Sequence, residues 1–124
     1  MQMQSINSYK DLIVWQKAID VVADTYAITR KFPSFENFGL SSQMQRAAVS
    51  IAANIAEGRG RGTRTDYAHF LDMSNGSVSE LETLLTIARR LSYCTEEQCS
   101  RMEEQLGEIG KMLGALRAKL RRSF

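Results

Sequence analysis

The sequence predicts an all-α fold: an antiparallel up-down-up-down bundle of four helices with left-handed packing. Three observations carry that expectation. Four stretches repeat apolar residues at alternating steps of three and four, three short joints separate them, and no strand alternation, long repeat or low-complexity tract competes. A repeat near 3.5 residues favours left-handed packing at about +20°, and short joints favour antiparallel neighbours. At 124 residues and 44% hydrophobic, the chain reads as one domain over 1–124. A domain of this size buries roughly two thirds of its unfolded surface.

The first helix is expected over about 9–32, with Leu12, Trp15, Ile19, Val22 and Tyr26 as its apolar stripe. Proline disfavours helical geometry in the residue before it, so Phe32-Pro33-Ser34 reads as the exit. The second helix, over about 38–57, carries Leu40, Met44, Ala48, Ile51 and Ile55, and Gly58 suits a left-handed C-terminal cap. The joint "EGRGRGTR" follows. Thr63 and Asp66 have capping-box spacing ahead of a third helix over about 64–92, marked by Tyr67, Phe70, Ser74, Leu81, Leu84, Ala88 and Leu91. Gly76 weakens that helix by about 1 kcal/mol relative to alanine and hints at close packing. Thr95 and Gln98 form a better capping box for a fourth helix over about 96–121, with Met102, Leu106, Ile109, Met112 or Leu113, Leu116 and Leu120 on its stripe.

A net charge of +2 is too small for a generic polyanion binder, so the positions of the charges decide. In the expected topology the second joint shares a pole with both chain termini. Arg59, Arg61 and Arg64 then face Arg117, Lys119, Arg121 and Arg122, with Glu57, Asp66 and Asp11 as counter-charges. One reading is helix-end complementation of the dipole and a soluble turn. The other is a phosphate contact, because arginine grips phosphate through a planar fork and glycine admits the backbone closely. The spacing is not that of a Walker phosphate loop. The bases of the opposite pole, Arg30, Lys31, Arg89 and Arg90, lie near Glu36, Glu96 and Glu97 and read as solvated helix ends.

On the second helix Gln43, Arg46, Ser50, Asn54 and Glu57 share a narrow arc at 100° per residue. Apolar residues flank this polar stripe on one side and Val49, Ala53 and Ala56 on the other. A helix so widely apolar needs more partners than a lone bundle supplies, which implies self-association. The stripe reads as inter-helix or inter-subunit hydrogen bonding, with Glu80 or Glu82 opposite Arg46, or as a ligand site.

Chemistry beyond binding finds little support. His69 is the single histidine, Cys94 and Cys99 lack further ligands for a zinc site and read as reduced thiols, and no general acid, base or nucleophile stands out. The expectation is a non-enzyme with no cofactor and no metal. No signal-like segment opens the chain, and no run approaches the ~18 apolar residues of a membrane span, so a cytoplasmic protein without a membrane partner is expected.

The block Leu12-Ile13-Val14-Trp15-Gln16-Lys17-Ala18, then Phe32-Pro33, Gly39-Leu40, Gln43 and above all Arg46 to Gly58 ("RAAVSIAANIAEG"), resembles the bacterial four helix bundle proteins, whose reading frames lie in intervening sequences of 23S ribosomal RNA genes. The resemblance runs from about Tyr9 to Leu120. Ala52 stands where that family commonly has proline, which leaves this helix straighter. The resemblance implies a homopentameric assembly with a basic surface, and a distant likeness to the accessory variability proteins of diversity-generating retroelements, which bind a reverse transcriptase and nucleic acid. Two functions follow as expectations. One is an oligomeric scaffold that contacts RNA or DNA phosphates; the other is an adaptor for a protein partner such as a reverse transcriptase.

Overall fold

A computed structural model describes residues 8–122, with Arg122 in its backbone only. Four helices account for most of it: α1 over Ile13–Thr29, α2 over Leu40–Arg59, α3 over Arg64–Arg90 and α4 over Glu96–Arg122. Short 3-10 turns at Tyr9–Asp11 and Ser34–Glu36 flank α1. The first helix is therefore shorter than its stripe suggests. Ser8 caps the opening 3-10 turn through a capping box with Asp11, and Leu12 is extended, so the helix cannot begin before Ile13. At its other end the chain leaves α1 before Pro33, as proline geometry requires.

Cross-helix partners run in opposite senses along three of the packed pairs. Ser74 and Ser77 of α3 meet Ile51 and Ser50 of α2, while Arg89 and Arg117 meet Glu103 and Asp72 across α3 and α4. Gln105 of α4 donates to Asp24 of α1, and Lys17, earlier in α1, pairs with Glu108, later in α4. The core between the helices is aliphatic, with Met44, Ile51, Ile55, Leu71, Leu81, Leu85, Leu106 and Ile109 among its fully buried side chains.

The stripes of α2 and α4 fall where the sequence places them, on the core side. That of α1 does not. Its buried residues are Val14, Ala18, Val21, Thr25, Ile28 and Thr29, whereas Ile19 and Tyr26 are 41% and 43% exposed, and Trp15 and Val22 sit half-buried at the edge. The true core face mixes the aliphatic Val14, Val21 and Ile28 with the small or polar Ala18, Thr25 and Thr29. Thr25 and Thr29 can lie there because their hydroxyls donate back to the carbonyls of Val21 and Thr25, at 2.7 and 2.8 Å, which satisfies the buried groups. Leu91, just past the end of α3, is likewise exposed, and in α3 Tyr67 and Phe70 are half-buried, while Leu71, Val78 and Leu85 join the core.

Glycine plays a different part from the one expected. Gly58 lies within α2, not after it, and among the described residues no glycine has a positive φ. The helix ends at Gly60, whose φ is −82° and whose N–H reaches Ala56 and Glu57 carbonyls. Gly58 is needed for closeness: a Cβ there would meet the Phe70 Cβ at 2.8 Å and the Tyr67 ring at 3.1 Å. A Cβ at Gly76, by contrast, would meet nothing within 4 Å, so no close approach within this chain explains that glycine.

The third joint closes α3 with a Schellman motif. Ser92 takes the left-handed position with φ of 60°, its N–H donates to the Arg89 carbonyl, and Tyr93 N–H donates to the Ala88 carbonyl. A side chain in that conformation is strained. Ser92→Gly is therefore expected to stabilise the fold by about 1 kcal/mol, read as a higher urea midpoint with an unchanged slope. A lower midpoint would show that the Ser92 side chain contributes more than the strain it carries.

Candidate nucleic-acid interface

The second joint folds as a tight cationic turn. Thr63 caps α3 by accepting from the Asp66 N–H at 3.1 Å, and Asp66 in the first turn complements the helix dipole. Arg61 lies with its guanidinium 4.7 Å from the Phe70 ring centre and pairs with Glu57 at 3.1 Å. Phe70 is thus held between Gly58 and Arg61, which ties the turn to the α2–α3 seam. Arg59 ends α2 half-buried beside Tyr67, whose hydroxyl is pushed up by burial against the opposing Arg59 charge.

α4 brings in the second set. Arg117 is fixed to Asp72 by a hydrogen-bonded ion pair of 2.9 Å, and that pairing holds the guanidinium charged by raising its pKa. Asp72 lies about two turns into α3, so the antiparallel register sets Lys119 and Arg121 beside the first turns of that helix, next to the joint. Arg121 is exposed, and Arg122 extends α4 in its backbone. The loop cations and the α4 cations therefore occupy one pole. Asp72 is a counter-charge that the sequence did not disclose, because it lies 45 residues from Arg117 and only the helix register joins them.

The cations differ in how they sit relative to the helix dipoles. Arg59, Arg117, Lys119 and Arg121 stand in C-terminal stretches of α2 and α4, where positive charge suits the dipole. Arg64 is the first residue of α3, the end at which a cation is disfavoured.

The polar stripe of α2 splits into three parts. Gln43 and Arg46 line a shallow cleft of about 470 Å³ with Ala47, Ser50 and Glu80. Ser50 and Asn54 are half-buried and satisfied internally: Asn54 Nδ2 donates to the Ser50 carbonyl and hydroxyl, and Ser77 Oγ donates to Ser50 Oγ at 2.9 Å. Glu57 is exposed and belongs to the cationic turn through Arg61. Ser50 and Asn54 therefore serve the α2–α3 seam, which is the most extensive contact in the bundle.

At the other pole Arg89 grips Glu103 through two hydrogen bonds of 3.0 and 2.9 Å and also meets Glu96. The Arg89 hydrogen bond holds the Glu103 carboxyl below its usual range. Glu36 accepts from the Leu40 N–H at the start of α2 and from the Tyr93 hydroxyl. Arg89 is absorbed into the fold, whereas Arg30, Lys31 and Arg90 are exposed, and Phe35 and Phe38 on the first joint stand 77% and 101% exposed. Sequence reading had not singled out these two, which lie outside every helical stripe.

Among the described residues no three His, Cys, Asp or Glu side chains cluster to hold a metal ion, and no helix is long and apolar enough to cross a membrane. His69 is exposed and stacks edge-on to Phe70 at 5.7 Å.

No curated protein matches the chain. Among solved structures, it is similar to a protein of unknown function from the S23 ribosomal protein family of Bacteroides thetaiotaomicron VPI-5482, with a TM-score of 0.79 and 25% identity over 85% of this chain and 98% of that one. The family profile described as 23S rRNA-intervening sequence protein matches residues 10–115, which takes in all of α1, α2 and α3, most of α4 and the cationic joint. The chain belongs to the 23S rRNA-intervening sequence protein family.

Proposed function

We propose that the chain is a non-enzymatic, self-associating helical bundle of the cytoplasm that holds RNA or DNA phosphates on its cationic pole without reading base sequence. The observation that carries this reading is the convergence of Arg59, Arg61 and Arg64 with the Arg117 end of α4. Arginine at a glycine-rich turn offers bidentate phosphate contacts, and these carry no sequence information. RNA is the first ligand to test, since the family is described by an intervening sequence of ribosomal RNA. Neither a cofactor nor a metal enters this function.

Self-association makes the pole multivalent. Tyr26 and Ile19 of α1 and Val49 of α2 leave an apolar flank on the outside of the bundle, and burying it against another copy removes that surface from water. The resemblance noted above supports five copies. Replacing Tyr26 and Val49 together by glutamate is expected to convert the assembly to monomers in sedimentation velocity, with the helical circular dichroism retained. An assembly of unchanged size in that variant would place the interface elsewhere. RNA affinity in a filter-binding series should fall with the loss of assembly, since linked sites bind more tightly than single ones.

Phe35 and Phe38 favour a second reading, an adaptor for a protein partner such as a reverse transcriptase. Exposed aromatic side chains are common anchors of protein interfaces. A variant lacking the three loop arginines separates the two: lost RNA binding with partner capture intact supports the phosphate pole, and unchanged RNA binding supports the adaptor.

A further inference from the structure

The start of α4 combines two devices that fix a helix terminus. Thr95 and Gln98 form a reciprocal capping box: the Gln98 N–H donates to Thr95 Oγ1 at 3.1 Å, and Gln98 Oε1 accepts from the Thr95 N–H at 2.9 Å. With Thr95 as the cap, the residue before it is Cys94 and the fourth helical residue is Cys99. Those are the two positions at which apolar side chains pack together as a hydrophobic staple. Here both are thiols, and their sulfurs lie 2.8 Å apart.

We propose that Cys94 and Cys99 form a redox-convertible staple, oxidised by a small peroxide to an intramolecular disulfide that locks the first turn of α4 to the joint before it. The sulfurs need only close by about 0.8 Å to reach bonding distance. Cys94 is half-buried and Cys99 fully buried, so a small oxidant meets Cys94 first. The Cys94 thiolate attacks one peroxide oxygen, the O–O bond breaks, and the departing hydroxide takes a proton to become water, leaving a sulfenic acid. The Cys99 thiolate then attacks the Cys94 sulfur, the S–O bond breaks, and a second water leaves. Two thiols and one hydrogen peroxide give one disulfide and two waters; the thiols lose the two electrons that the peroxide gains.

The surroundings suit a pair that stays reduced until challenged. Burial, then the hydrogen bond to Cys99, pushes the Cys94 thiol up to about 12, with Glu96 adding to the rise and Arg89 opposing it. The first step is therefore slow at neutral pH, because the thiolate is the nucleophile. The second is fast, because its partner is already in contact and no bimolecular encounter is needed. The joint being locked is also the strained one, with Ser92 in the left-handed region two residues earlier.

Trypsin cuts after Arg90 and Arg101, so one peptide, Leu91 to Arg101, holds both cysteines. The full chain is treated with hydrogen peroxide, blocked with iodoacetamide and digested without reductant. The expected peptide has lost two hydrogens, carries no alkyl label, and regains both label sites after dithiothreitol. Sulfinic or sulfonic acid at either cysteine, a disulfide between chains, or two alkylated thiols under conditions that oxidise the urea-unfolded chain would each overturn the proposal. Dimedone should trap sulfenic acid at least about tenfold more in Cys99→Ser than in the unaltered chain, where Cys99 resolves it; equal trapping would contradict the contact. Amide exchange over residues 96–99 should slow by about tenfold in the oxidised protein, and unchanged exchange would show that the bond locks nothing.

Discussion

Gly58→Val is expected to lower the stability of the bundle by about 3 kcal/mol, the combined cost of overpacking and of a branched side chain in a helix. The size follows from what the new atoms would meet. The first added carbon already stands 2.8 Å from the Phe70 Cβ and 3.3 Å from the Tyr67 carbonyl oxygen. Neither can swing aside, since both lie on or next to the α3 backbone. α2 and α3 must therefore separate where Ser74 donates to the Ile51 carbonyl and Ser77 to Ser50. Urea unfolding should show a much lower midpoint. A control at Gly62, where an added Cβ meets nothing within 4 Å, should change little. Equal effects at the two positions would refute the close-approach account of Gly58.

Joint replacement of Arg59, Arg61 and Arg64 by alanine is expected to weaken RNA binding by about 100-fold or more, since each charge-assisted hydrogen bond to phosphate contributes on the order of 1.5–3 kcal/mol. Loss of fold is a small part of this. Arg61 gives up its contact with Phe70 and an exposed pair with Glu57, which cost about 1 kcal/mol together. Circular dichroism of the variant should therefore match that of the parent. Binding within threefold of the parent would remove the loop from the interface and return its arginines to the role of a soluble turn.

Helix α2 was legible because its core face is written in large aliphatic residues, Leu40, Met44, Ile51 and Ile55, that admit one reading. Helix α1 misled for the converse reason. Its core face holds Ala18 and Thr25, while Trp15, Ile19 and Tyr26 form a more conspicuous stripe on the flank. A pattern of large residues finds the core only when the core is where the large residues go. The Thr63 and Thr95 caps could be read because capping is local. That locality also puts Cys94 and Cys99 at staple spacing, a signal present in the sequence itself. Gly58 shows a different limit: glycine after an apolar stripe fits both a cap and a close crossing, and only the position of α3 chooses between them. The Asp72 partner of Arg117 depends on helix register and had no local mark in the sequence.

The most direct test of a phosphate-holding pole is the salt dependence of binding to a structured fragment of 23S ribosomal RNA. Phosphate contacts release counterions, so log K should fall linearly with log salt, with a slope that grows by about 0.7 to 0.9 for each contact. The unaltered protein is expected to give a steep slope, and the Arg59, Arg61 and Arg64 alanine variant one shallower by about 2 to 3 units for each engaged subunit. A slope near zero, or one identical in the two proteins, would contradict the proposal that this pole holds RNA.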